Sequence, residues 1–173
     1  VRLVLNAGSE NQQVVDFFGG SAGDLAGSSL AFADLNGDGM EDLAIGAKRA
    51  DTVNGVNSGA VYVIFGSEAI AGGNLDDLVL NDGRGTPAGV KILGAGEGDT
   101  ITSISAAGDF NGDGIADIVI GAALADTGAG LDAGRAYIVF GKLGFAEVDL
   151  AALTPAEGIV LNGAEAGGWF GLS

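Results

Sequence analysis

Two acidic, glycine-containing phrases in this chain have the residue types and the spacing of a calcium-binding loop. DLNGDGMED occupies residues 34–42 and DFNGDGIAD occupies residues 109–117, 75 positions later. Ca²⁺ takes about six to eight oxygen ligands, and side chains at alternating positions of a tightly curled loop can converge on one ion. The glycine at the sixth position, Gly39 or Gly114, permits the positive φ that turns the chain around the ion.

Each loop offers side chains at positions 1, 3, 5 and 9 and a backbone carbonyl at position 7, where an apolar residue is therefore harmless. The predicted ligands are Asp34, Asn36, Asp38, Met40 and Asp42 in the first loop, and Asp109, Asn111, Asp113, Ile115 and Asp117 in the second. We expect about two calcium ions, one in each loop. They would change the formal charge of the chain from −16 to −12.

Two alternative interpretations of these phrases compete with a calcium site. An EF-hand opens in the same way, but it requires a Glu at position 12 and flanking helices. Position 12 is Ile45 or Ile120, inside a strand-like run, so the EF-hand interpretation fails. The other alternative is a solvated Asx-turn hairpin that binds no ion. The occurrence of the phrase in two copies favours the ion.

Four other aspartates occur at matching places in the two halves of the chain: Asp24, Asp99, Asp51 and Asp126. Each stands in a turn rather than in an acidic cluster. Aspartate in such a place commonly accepts hydrogen bonds from nearby backbone amides. We therefore predict that these four residues cap turns and do not bind metal.

Composition excludes several classes of function. Seven basic against 23 acidic residues give a formal charge of −16, which repels nucleic acid and anionic membrane surfaces. The chain has no cysteine and no histidine, so it can form neither disulfides nor thiolate metal sites, and it lacks the commonest general base. No apolar run approaches the roughly 18 residues of a membrane span. We predict no catalytic residue and no membrane insertion.

The similarity between the two halves extends well beyond the acidic phrases. AFADLNGDGMEDLAIGA (residues 31–47) and AAGDFNGDGIADIVIGA (residues 106–122) are identical at 10 of 17 positions. The register continues downstream, where Tyr62 aligns with Tyr137. A third copy starts at GAEAGGWFGLS from Gly163. A fixed period of this size is the signature of a repeat architecture with one supersecondary unit per period.

Within each period the local patterns are short and strand-like. DLAIGA and DIVIGA follow the acidic phrases, and the later AVYVIFG and AYIVFG are dense in β-branched and aromatic residues. With a strand before the loop and a closing segment such as VKILG, each repeat has four short strands. VDLAALTPAE and LDDLVL can hold at most a turn or two of helix. We predict an all-β fold of four-stranded antiparallel propeller blades, in preference to a sandwich.

Together, the loop motif, the Gly-Ala ending of the next strand and the SGAVYVIFG or AGRAYIVFG segment resemble the FG-GAP repeat. That repeat builds the seven-bladed β-propeller of integrin α-subunits and of many secreted bacterial proteins. The resemblance implies that the calcium loop joins the first and second strands of a blade. It divides the chain into the closing part of a blade (1–19), two complete repeats (20–94 and 95–163) and the start of another (164–173).

The chain departs from the family pattern in several places. At the family's aligned position the Phe-Gly pair is intact only at Phe170–Gly171, where the other repeats have Ala26–Gly27 and Ile101–Thr102, and the proline of the "GAP" segment is absent. Propellers close with about four to eight blades, whereas this chain supplies only about 2.4. We therefore expect a segment of a longer chain, or a piece that associates with itself, most naturally as a trimer.

The resemblance implies a non-catalytic, calcium-stiffened propeller module of a secreted or cell-surface protein, used for adhesion or partner recognition. Its partner would be a protein or glycan of unknown identity. The alternative is an accessory propeller domain of a secreted enzyme such as a hydrolase. Fold analogy alone does not decide between them.

Overall fold

A computed structural model of the protein describes residues 2–6, 12–67, 73–76 and 89–173. These residues form twelve strands in three sheets, and the prediction of an all-β fold is confirmed. In chain order the strands are β1 (Arg2–Asn6), β2 (Gln12–Phe18), β3 (Ala26–Ala33), β4 (Asp42–Ala47), β5 (Ala60–Ile64), β6 (Gly73–Asn74), β7 (Gly89–Leu93), β8 (Ser103–Gly108), β9 (Asp117–Ala122), β10 (Arg135–Val139), β11 (Val148–Asp149) and β12 (Gly158–Asn162).

Each complete repeat contributes one sheet of four antiparallel strands. The first repeat forms the order β3-β4-β5-β7 and the second forms β8-β9-β10-β12. The innermost strands, β3 and β8, lie next to each other. These sheets are propeller blades, as predicted, and in both of them the acidic loop joins the first strand to the second.

Two strands of only two residues link successive units, and the sequence patterns did not predict them. β11 adds in parallel to the edge of β7, with Val148 opposite Ile92 and Asp149 opposite Leu93. β6 adds in the same way to β2. A two-residue strand has no periodicity of its own, so only the neighbouring edge that it pairs with defines it. The sheet of one repeat is thus completed by residues of the next.

The central strands are buried on both faces because a blade packs against a neighbour on each side. In β5, Val61 and Val63 point into one core, while Tyr62 and Ile64 point into another, as the two-residue period of a strand requires. The first core contains Ile118, Ile120 and Tyr137 of the second sheet and lies between the two blades. Burial on both faces explains why these strands are continuously apolar in sequence.

A short 3₁₀ turn, Leu150–Ala152, follows β11, and the side chain of Asp149 caps it by accepting from the amide of Ala151. This is the turn expected within VDLAALTPAE. Most of the other expected turn, LDDLVL, lies outside the described residues. Within the described part of the chain, no helix has the length and apolar character needed to cross a membrane.

Candidate metal centre

The first acidic loop is closed by its own leading aspartate. The carboxylate of Asp34 accepts hydrogen bonds from the amides of Gly37 (2.8 Å), Asp38 (3.1 Å) and Gly39 (2.9 Å). Gly37 and Gly39 have φ of +74° and +87°, which places both in the left-handed region. The positive φ predicted for Gly39 is confirmed. The hydrogen bonds of the loop itself therefore hold it in a curled shape without a bound ion.

Asn36 and Asp38 point toward each other at the exposed tip of this loop. The Asn36 Nδ2 donates to Asp38 Oδ2 at 3.0 Å, and the Asp38 amide donates to Asn36 Oδ1 at 2.9 Å. The amide of Met40 donates to Asp38 Oδ1 at 2.8 Å, which leaves the carbonyl of Met40 as the available group of that residue. Three of the predicted ligands are thus brought together within one turn.

Asp42 differs from the other acids of the loop because it is fully buried, with 0% of its surface exposed. Its carboxylate accepts from the amide of Leu35 at 3.0 Å and from the amide of Gly66 at 2.8 Å. Burial raises the pKa of Asp42, the two amides lower it, and the nearby charges of Asp38 and Asp34 raise it further. Asp42 ties the base of the loop to the end of β5.

The second loop repeats this arrangement. Asp109 accepts from the amides of Gly112 (2.7 Å), Asp113 (3.0 Å) and Gly114 (2.9 Å), and Asn111 Nδ2 donates to Asp113 Oδ2 at 2.9 Å. The amide of Ile115 donates to Asp113 Oδ1 at 2.9 Å, in the place of Met40.

Asp117 closes the base of the second loop as Asp42 closes the first. It is also 0% exposed and accepts from the amides of Phe110 (2.8 Å), Asn111 (3.2 Å) and Gly141 (2.9 Å). The same geometry therefore forms twice, in two different surroundings.

The donor set of each loop suits a hard cation, since it consists of carboxylate, amide and carbonyl oxygens only. In the described residues, however, no three acidic side chains converge on one point at metal-binding distances. The carboxylates face backbone amides instead, which are the contacts of the Asx-turn alternative. A carboxylate has about four lone-pair sites, so the amides leave acceptor capacity on each one. The ligand assignment for the ten residues stays a prediction.

The two loops touch each other through the backbone. The amide of Ala116 donates to the carbonyl of Asp34 at 3.2 Å, and the amide of Lys142 donates to the carbonyl of Leu35 at 3.0 Å. A Cβ placed on Gly37 would lie 2.9 Å from Cδ1 of Ile115. The first loop is therefore packed against the second blade, a contact that the sequence did not reveal.

Asp24, Asp51 and Asp126 cap turns, as the sequence predicts, whereas no backbone amide among the described residues is seen to donate to the carboxylate of Asp99. Asp24 accepts from the amide of Ser21 at 2.8 Å, and Asp51 accepts from the amide of Asn57 at 2.8 Å. Asp126 accepts from the amide of Asp132 at 2.9 Å. Asp99 is buried, and burial raises its pKa, while the nearby Arg135 lowers it and Asp126 raises it.

The sequence patterns did not single out Arg135 and Tyr137 as site residues. These two polar residues line a cavity in the second blade and could contact a ligand there. The signal was present in the alignment of the two repeats. Asp76 of the first repeat is replaced at the structurally equivalent place by Ala151. The two positions are 75 residues apart, as in the rest of the alignment, and the structure shows that they occupy the same turn.

With the fold and the loops established, comparison with known proteins gives the family. The model of the FG-GAP repeat matches residues 26–64 and 101–139, which span the first three strands and the loop of each blade. The chain contains two FG-GAP repeats. The resemblance inferred from the motif is confirmed.

Integrin α-subunits are among the similar proteins. Integrin alpha-3 of Mus musculus is 32% identical over 69% of this chain and 10% of its own length. Integrin alpha-3 of Cricetulus griseus is 32% identical over 65% of the chain and 9% of its own length. Integrin alpha-4 of Xenopus laevis is 31% identical over 65% and 10%, respectively. The chain thus spans about a tenth of the length of these relatives.

Proposed function

We propose that this FG-GAP segment is a calcium-binding, non-catalytic part of a β-propeller that serves adhesion or partner recognition in a secreted or cell-surface protein. The observation that carries the proposal is the repeated loop. Two nine-residue segments, 75 positions apart, place the same oxygen donors on the same hydrogen-bonded backbone.

The loop backbone favours ion binding because its shape is set in advance. In the first loop, three amides hold Asp34, and two amides hold Asp42 at the base. A loop that is already curled loses little conformational entropy when an ion binds. Asn36 and Asp38 would exchange their mutual hydrogen bond for contacts with the cation.

Calcium also relieves an electrostatic cost within each loop. The three carboxylates predicted as ligands in each loop repel one another, and this repulsion weakens the folded state when no cation is present. A divalent ion that binds the folded form alone stabilises it by mass action. We infer that calcium stiffens the blades rather than taking part in a reaction.

The setting that we propose is extracellular. Loops of this kind in extracellular modules bind calcium at about 10⁻⁴ to 10⁻³ M, which suits the millimolar calcium outside cells. The similarity to integrin α-subunits supports the same setting. The partner that we propose is a protein or glycan. Nucleic acid is disfavoured by the formal charge of −16.

Further blades complete the propeller in our proposal, supplied by a longer chain or by self-association. β2 and β7 each receive a short parallel strand from the following unit, and β12 receives none within the described residues. On β3, Leu30 and Phe32 are 43% and 48% exposed. Open edges and exposed apolar strand faces are the surfaces that neighbouring blades cover in a closed ring.

Isothermal titration calorimetry of the chelator-treated chain with Ca²⁺ tests the proposed function. We expect about two ions per chain with dissociation constants of about 10⁻⁴ to 10⁻³ M. Mg²⁺ should bind more weakly, since it requires a smaller and stricter octahedral site. A folded chain that takes up no calcium at millimolar concentration would leave only the Asx-turn interpretation.

A further inference from the structure

A cavity of about 340 Å³ lies beside the outer strands of the second blade, where the connection after β11 passes over them. This volume falls in the range of small-molecule sites, roughly 300–1,000 Å³. Its walls are formed by Ala95, Arg135, Tyr137, Leu150, Ala151, Leu153, Val160 and Asn162. The lining combines aliphatic side chains with one cation, one phenol and one amide.

The hydroxyl of Tyr137 lacks a hydrogen-bond acceptor in the described part of the chain. Tyr137 is 1% exposed, and no described residue accepts a hydrogen bond from its hydroxyl, although Arg135 lies close enough to donate to it. Arg135, two residues earlier on the same face of β10, is close enough to lower the pKa of Tyr137, although burial has the larger, opposite effect. A guanidinium group only donates hydrogen bonds, so it offers no acceptor for the tyrosine proton. A buried hydroxyl in this situation needs an oxygen from elsewhere.

The first blade shows which oxygen fits this position. The hydroxyl of Tyr62, the equivalent of Tyr137, donates to Asp76 Oδ1 at 2.8 Å. Lys91 Nζ donates to the same oxygen at 3.0 Å and lies 4.8 Å from the centre of the Tyr62 ring. One carboxylate thus satisfies both a tyrosine hydroxyl and a cation inside the blade.

The second blade has lost that carboxylate. The amide of Asp76 donates to Asn74 Oδ1 at 2.9 Å, and the amide of Ala151 donates to Asp149 Oδ1 at 2.9 Å. This matching turn identifies Ala151 as the equivalent of Asp76. A methyl group therefore stands where the first blade supplies its carboxylate.

Gly20, which faces the Asp76 carboxylate in the first blade, is also replaced in the second blade. A Cβ on Gly20 would overlap the Asp76 carboxylate, so a larger residue there would force that side chain to move. In the second repeat the equivalent residue, 75 positions later, is Ala95. The pair Gly20 and Asp76 has become Ala95 and Ala151, and both alanines line the cavity.

The second blade also places a positively charged side chain beside its tyrosine, but a different strand supplies it. Lys91 corresponds to Val160, since each lies opposite its tyrosine in the strand register. Arg135 provides the positive charge instead, and its Nε donates to Asn162 Oδ1 at 3.0 Å. Of the residues that the structure describes, none forms a salt bridge with Arg135. Its charge also acts on the buried Asp99, but without a salt bridge the guanidinium can still donate to a further planar acceptor.

We propose that the cavity binds a carboxylate that is not part of the blade, in the role that Asp76 has in the first blade. The carboxylate would accept from Arg135 and from the Tyr137 hydroxyl, and its short apolar portion would contact Leu150 and Leu153. It belongs either to a small organic acid or to an acidic side chain of a bound peptide. The shared chemistry is one carboxylate on a short apolar stem.

Tyrosine-labelled NMR tests this directly because the chain has only two tyrosines. The calcium-loaded chain, carrying ¹³C-labelled tyrosine, is titrated with sodium acetate at ionic strength held constant with sodium chloride, and Tyr137→Phe assigns the two signals. We expect the Tyr137 signal to shift and saturate while the Tyr62 signal stays fixed. A Tyr137 signal that responds no more to acetate than to chloride overturns the proposal and indicates a site filled by water.

Two variants separate a specific site from a general effect. Arg135→Ala restores the residue of the first blade, Ala60, and should weaken acetate binding at least about tenfold, because the charged donor is lost. The double change Ala95→Gly and Ala151→Asp transplants the pair of the first blade and should abolish the acetate response. An unchanged Tyr62 signal verifies folding in each variant. Acetate affinity that survives both changes contradicts the proposed site.

The source of the carboxylate is distinguished by two blocked tripeptides, acetyl-Gly-Asp-Gly-amide and acetyl-Gly-Asn-Gly-amide. If the site takes an acidic side chain, the aspartate peptide should bind at least as tightly as acetate, and the asparagine peptide should not bind. If acetate binds and the aspartate peptide does not, the site takes a small organic acid. If neither acetate nor the aspartate peptide perturbs Tyr137, the cavity is not a carboxylate site.

Discussion

The backbone amide of Ala116, next to the last acid of the second loop, donates a 3.2 Å hydrogen bond to the carbonyl oxygen of Asp34, the first acid of the first loop. The two candidate metal centres are therefore parts of one hydrogen-bonded surface. An ion that orders the second loop also fixes a donor to the first. This contact and the loop geometry lead to the following predictions.

Replacing Asp38 with alanine should remove one calcium ion and leave the second loop occupied. Asp38 is exposed and its interactions lie within its own loop, so the change has no route to unfold the blade. Calorimetry should give about one ion per chain, and Asp113→Ala should give the same. Glu41→Ala is the control, since Glu41 is exposed and its counterpart in the second loop is Ala116.

In Asp113→Ala, the remaining ion should also bind the first loop a few-fold more weakly, because a second loop without its ion holds the Ala116 donor less rigidly. The loss should stay within about tenfold, since one neutral hydrogen bond contributes about 1 kcal/mol. Equal first-loop affinity in the variant and in the wild type would show that the two loops bind independently.

Asp42→Ala should destabilise the fold whether or not calcium is present. The change leaves the buried amide of Leu35 and the partly buried amide of Gly66 without their acceptor, at a cost of about 2–4 kcal/mol in the free energy of unfolding. Urea denaturation in chelator measures this cost free of any ion. Asp38→Ala, measured in parallel, should be neutral or stabilising in chelator, because it relieves repulsion. Equal stability of the wild type and Asp42→Ala in chelator would contradict the structural role.

Gly39→Ala should cost about 1 kcal/mol through backbone strain alone. Gly39 has φ of +87°, and a Cβ there would meet no atom within 4 Å. Gly128→Ala is the matched control, because that position is equally open and its φ lies outside the left-handed region. Thermal denaturation should show a lowered Tm for Gly39→Ala and almost no change for Gly128→Ala. Equal shifts in the two variants would remove strain as the explanation.

Asp99→Asn should stabilise the chain near neutral pH. Burial raises the pKa of Asp99 in the fold above its ordinary value, although Arg135 partly offsets this. The folded form therefore holds the proton more tightly than the unfolded chain. Its contribution to stability is full below the unfolded pKa and falls as pH rises through the folded pKa. The stability difference between the variant and the wild type, followed by denaturation from pH 3 to pH 7, should grow with pH. A difference that is constant across this range would be inconsistent with titration of Asp99.

The central strands could be predicted from sequence because their cause is local. β5 and β10 are runs of β-branched and aromatic residues, and burial on both faces requires such a pattern. β11 could not be predicted, since two residues become a strand only when the edge of β7 is beside them. The acidic loops were visible because their residues are contiguous. The buried role of Asp42 was not, since its partner Gly66 lies 24 residues away.

The cavity beside Tyr137 is also a feature that the sequence alone did not predict. In the sequence, the only sign of the cavity is that the second repeat lacks an aspartate that the first repeat has. A missing residue can be recognised only when the equivalent position in the other repeat is known. The repeat period of 75 residues pairs Asp76 with Ala151, and the turn that they share confirms that equivalence. Two repeats of one chain therefore act as controls for each other.

The parallel pairing of β11 with β7 has a consequence for how the repeats fold. The sequence repeat and the complete sheet do not have the same boundaries. The outermost strand of the first sheet, Val148–Asp149, comes from the second repeat, so the first sheet is complete only when the second repeat has folded. Adjacent repeats are then not independent folding units, as they would be in an array of separate modules. Heat or denaturant should unfold both blades in one transition. A break in the chain between the two blades would open the first as well as the second.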